Sequence, residues 1–73
     1  MIDNEEIARQ VSELMVEFSH RLDDSVALVR DQSSPSEFHV YRQAVAKILA
    51  DMLLDIMNPL YARHPNLKPP GLK

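Results

Sequence analysis

Between Asn4 and Arg30 the chain runs without a glycine or a proline, and Ile7, Val11, Leu14, Phe18, Leu22, Ser25 and Val29 recur at steps of three and four. That spacing lines them along one face of an α-helix. Asp3 or Asn4 can cap its start, and Glu5 and Glu6 suit the positive end of the helix dipole. At 1.5 Å per residue the helix is roughly 40 Å long. A helix with one apolar stripe gains most of its stability from burying that stripe, so it demands a neighbour.

The sequence supplies one. Asp31-Gln32-Ser33-Ser34-Pro35 breaks the first run, and Ser34, Pro35 and Glu37 form a helix-start signature. The serine hydroxyl accepts from the backbone near Glu37, proline sits where its missing N–H is harmless, and Glu37 reaches back. The second helix is expected from about Pro35 to Asn58, where Pro59 enforces a stop or kink. One further turn, Pro59 to Arg63, could be capped by Asn58. From His64 to Lys73, three prolines favour an extended tail. Two long helices joined by a few residues fold back antiparallel.

A hairpin alone leaves helix two under-covered. On a helical wheel Phe38, Tyr41, Val45, Ile48, Leu49, Met52 and Ile56 cluster, and Ala46, Leu53 and Met57 widen the sector to roughly 200°. Lys47, Asp51 and Asp55 mark the narrow wet strip. One antiparallel neighbour covers a stripe of about 100°. A chain of 73 residues also buries only about 60% of its unfolded surface, and it has no cysteine for a disulfide or thiolate metal site. The expected fold is therefore all-α: a single antiparallel hairpin domain that dimerises into a four-helix bundle, with a short Pro-rich C-terminal tail. The interface is expected at Tyr41, Val45, Ile48, Leu49, Met52, Leu53, Ile56 and Met57. A different protein covering the same face is the structural alternative. Met15, Met52 and Met57 fit either a core or an adaptable surface.

Charge narrows the partners. The net charge is −3, with eight acids against three arginines from Met1 to Asp31 and a basic end in Arg63, Lys68 and Lys73. An acidic body does not suit a phosphate backbone, so no nucleic acid is expected. The apolar-rich stretch from Ala44 to Met57 is interrupted by Lys47, Asp51 and Asp55 and is shorter than the ~20 residues of a membrane span. The acidic start is unlike a targeting peptide, and a cytoplasmic location is the expectation. Folding back should bring Arg63 and Lys68 beside Asp3, Glu5 and Glu6, with Leu60, Tyr61 and Leu67 supplying apolar contact.

Chemistry-bearing patterns are sparse. The serines lack a strained elbow or a glycine-rich oxyanion setting, the sole glycine is Gly71, and the carboxylates fall on helix exteriors. His20 with Asp23 or Asp24 could hold a metal between turns, but the solvated-face reading is preferred. His39 is expected to be exposed, and His64 unoriented. The segment from Ser19 to Val29 resembles the phosphoacceptor region of histidine phosphotransfer domains, matching at His20, Leu22, Ser25 and Val29. Asp23 stands where that family has lysine and Asp24 where it has glycine. The resemblance implies a four-helix bundle carrying a phosphoryl group on His20, the alternative function. The leading expectation is a non-enzymatic protein without a cofactor, acting through self-association and protein contacts as a regulator, adaptor, chaperone or antitoxin-like binder.

Overall fold

Two side-chain caps start the two arms. Asn4 Oδ1 accepts from the Ile7 N–H at 3.1 Å and opens α1, Glu5–Gln32. Ser34 Oγ accepts from the Glu37 N–H at 3.3 Å and opens α2, Pro35–Met52, with Pro35 in its first turn. Only Ser33 and Ser34 separate the helices, and the Ser33 N–H closes α1 on the Val29 carbonyl. The computed structural model describes residues 1–69; the last part of the expected tail lies outside them. Among the described residues the chain is all-helical, an antiparallel hairpin 44 Å long.

Pro59 does not end the second arm. The backbone stays helical through a π-turn, Leu53–Met57, into α3, Asn58–Arg63. The Asn58 N–H reaches back five residues, to the Leu53 carbonyl. In an unbroken α-helix the Pro59 ring would press on the carbonyl four residues earlier. The wider turn relieves that crowding, and it also inserts one residue into the helical phase. Of the stop or kink expected at Pro59, the stop does not occur, and the further turn expected from Pro59 to Arg63 is helical. Asn58 makes no side-chain cap either, since the preceding residues are already helical.

The phase shift decides what reaches α1. The contact line along α2 steps through Val45 and Met52, then continues through Met57, Leu60 and His64. Without the inserted residue Ile56, Pro59 and Arg63 would take those places. Leu60 and Ala8 are both fully buried, and with Met57 and Tyr61 they form the core at the open end of the hairpin. The Tyr61 and Ser12 hydroxyls lie 2.6 Å apart in that core. No buried side-chain N or O among the described residues lacks a hydrogen-bond partner.

The end is closed by three contacts between distant parts of the chain. Arg63 Nε donates to Asp3 at 3.3 Å, and Asn66 Nδ2 donates to Glu5 at 2.8 Å. His64, expected to be unoriented, is buried, and its Nε2 donates to the Ile2 carbonyl at 2.7 Å. Ile2 has a φ of 55°, a left-handed conformation that a β-branched residue adopts at a cost of about 1–3 kcal/mol. The His64 contact and the packing of Ile2 on the core offset that cost. Pro65–Leu67 form a 3₁₀ turn rather than the extended chain expected there.

Candidate interaction surface

The two arms meet along a seam. On α1 the seam is Ala8, Ser12, Met15, Ser19, Leu22, Val26 and Val29; on α2 it is Phe38, Tyr41, Val45, Leu49 and Met52. All are buried or half-buried. The step pattern of three and four is that of helices packed at a shallow angle. Small residues on the α1 side let the backbones approach. Their hydroxyls are satisfied locally: Ser19 Oγ donates to the Met15 carbonyl at 2.8 Å, and Ser25 Oγ, beside the seam, to that of Leu22 at 2.6 Å. Ser25 and Tyr41 hydroxyls are 2.7 Å apart, so this pair ties the loop end as Ser12 and Tyr61 tie the other.

The stripe expected on α1 therefore divides: Leu22 and Val29 lie in the seam, but its first half faces elsewhere. Ile7, Leu14 and Phe18 are exposed, and the seam uses the residues that follow them. A second seam runs beside the first, each member one residue earlier: Ile7, Val11, Leu14, Phe18, Arg21, Ser25 and Leu28. The same displacement on α2 gives Glu37, Val40, Ala44, Ile48 and Asp51. In an antiparallel pair, positions displaced from the contact line in the same sense along each chain lie on the same broad face. Ile7, Leu14, Phe18, Leu28, Val40 and Ile48 thus share one side of the hairpin, each between 44% and 67% exposed. Scattered exposed apolar residues need no explanation, but a contiguous face of them does.

The expected interface residues divide. Val45, Met52 and Met57 are buried inside the hairpin, Tyr41, Leu49, Leu53 and Ile56 are half-buried, and Ile48 alone of that set is exposed. Val40 and the α1 residues were not expected there. The signal for them was available, as an apolar residue directly before most of the seam positions, Arg21, Ser25, Glu37 and Asp51 being the exceptions. A shallow depression lined by Ser36, Glu37, Val40, Tyr41 and Ala44 lies on this side near the loop.

The chemistry-bearing residues stay apart. His20 and His39 are exposed, as are Asp23 and Asp24, while Ser25 is engaged with Leu22 and Tyr41. No group of three or more metal-ligating side chains gathers among the described residues, and none of their helices is long and apolar enough to cross a membrane. Arg9 bridges Glu6 and Glu13 on the exposed surface. The guanidinium hydrogen bond holds the Glu6 carboxyl below the usual carboxylate range, and the two acids raise Arg9. Compared with known families, curated proteins and solved structures, the chain matches none of them significantly.

Proposed function

We propose that the protein is a non-enzymatic interaction module that works as a homodimer, two hairpins closing their apolar faces into a four-helix bundle. The observation that carries this is the gathering of six large exposed apolar side chains on one face, along both helices. The exposed area is that of an open rod. The chain exposes 5319 Å², whereas a compact monomer of 8.4 kDa exposes about 4600 Å². The excess reflects the elongated, open shape of a single hairpin, which leaves both flanks of the seam accessible. A regulator, adaptor, chaperone or antitoxin-like binder uses such a platform, presenting its outer helix faces to another protein.

Sedimentation equilibrium tests the reading directly. The wild type is expected at dimer mass at micromolar concentration, with a melting midpoint that rises with protein concentration. Ile48→Lys places a charge on the exposed face without touching the hairpin core. It should yield a helical monomer, because burying an unpaired charge between copies is expensive. A charge at Leu53 would instead disrupt the core that this residue packs against. A stable wild-type monomer overturns the proposal.

A further inference from the structure

The apolar side of the hairpin carries most of the chain's unmatched acid. On α1, Glu17 and Asp24 stand three residues beyond Leu14 and Arg21, along the outer edge of that side. On α2, Glu37 and Asp51 are among its residues, and Lys47 and Asp55 lie one turn either way from Asp51. Five carboxylates thus accompany two cations, Arg21 and Lys47, and all seven are exposed. None of the seven makes an ion pair among the described residues. The ion pairs there, Arg9 with Glu6 and Glu13, Arg30 with Asp31 and Arg63 with Asp3, all involve residues outside this set.

A second copy does not answer that charge. Whatever its register, it brings the same five acids and two cations to the interface, and like charges brought together oppose association. We propose that the apolar side also takes a helix of another protein, amphipathic and basic, in exchange for the second copy. The inference rests on the reading of this side as the interacting one, and names the partner that displaces the second hairpin.

The furrow between the arms has the shape for it. α1 and α2 run side by side, so the seam forms its floor. Ile7, Leu14, Phe18 and Leu28 make one wall, and Val40 and Ile48 the other. From Ile7 to Leu28 the wall extends roughly 32 Å, about six turns of helix. An amphipathic helix laid there buries its apolar stripe against both walls and completes a three-helix bundle. Its flanking positions then face Glu17 and Asp24 on one edge, and Asp51 and Asp55 on the other. Lysine or arginine at those positions can lay its stem over Leu14 or Ile48 and hold its charged head at the carboxylates. Such pairs fix the choice of partner and speed its capture more than they add affinity.

Two synthetic helices of about six turns test this. They share a leucine stripe and differ at the flanking positions, lysine in one and glutamate in the other. Fluorescence anisotropy is expected to show the lysine helix bound more tightly by at least about tenfold. Sedimentation is expected to show the dimer giving way to one hairpin with one peptide. Glu17→Lys with Asp24→Lys should remove the preference, with helical circular dichroism kept. Glu13→Lys with Asp23→Lys, the same change of net charge on the opposite side, should keep it. No preference in the wild type, or equal loss in both pairs, would overturn the inference. A wild-type dimer that keeps its mass beside the lysine helix would overturn it too, while leaving the homodimer standing. Monomer mass without peptide would overturn the homodimer reading alone.

Discussion

Ser34 opens α2 through two hydrogen bonds of opposite sense. Its hydroxyl accepts from the Glu37 N–H and donates to the Glu37 carboxylate at 3.1 Å. Ser34→Ala removes both, and the expected loss is about 1 kcal/mol in urea unfolding. An unchanged midpoint would mean that Pro35 alone starts the helix. His20 has no such partner network, and the carboxylates of Asp23 and Asp24 flank it on the exposed surface. Acetyl phosphate is expected to leave it unmodified. Acid-labile label that disappears in His20→Gln would instead favour the phosphocarrier. At this scale the caps were legible in the sequence because Ser34 and Asn4 act on backbone groups three residues away. The seam serines were not, because Ser12 and Ser19 face inward for their small size, and size is not what an apolar stripe records.

The elements show where a regular period misleads. A 3.6-residue wheel and a 3.5-residue packing seam drift apart by about 20° per heptad. The stripe traced from Ile7 to Val29 accordingly begins on the exposed face of α1 and ends in the seam. On the second arm a single five-residue step, Met52 to Met57, marks the inserted residue, and the steps of three and four resume at Leu60 and His64. Proline was readable as a disturbance, but its resolution into a π-turn depended on which side chains α1 could accept. This makes a deletion test informative. Removing exposed Asp55 together with Pro59→Ala should convert the π-turn to an α-turn and keep Met57, Leu60 and Tyr61 on α1. Removing Ala44 instead turns every later α2 residue by about 100°. Cooperative melting should survive the first change and vanish with the second. Equal loss in both would show that the π-turn does not set the phase.

For the whole molecule, length and closure matter together. Its radius of gyration is 14.4 Å, against about 11 Å for a compact chain of this size. That elongation was legible, since two uninterrupted helices of nearly equal length can only make a rod. The meeting of Arg63 with Asp3 followed from the same antiparallel return, whereas the His64 contact depended on the phase of α3. The result is that Ile2 and His64, and likewise Glu5 and Asn66, touch at one end, while two residues close the other. The chain is thus nearly a ring, and the place where it is cut is not what holds it together. A circular permutant that starts at Ser34, joins Lys73 to Met1 through a few glycines and ends at Ser33 should keep its helical circular dichroism and its mass in sedimentation. An unfolded permutant would mean that the Ser33–Ser34 connection does more than join the arms. A folded one would turn the exposed loop into a pair of free ends, where a second protein could be fused without crossing the apolar face.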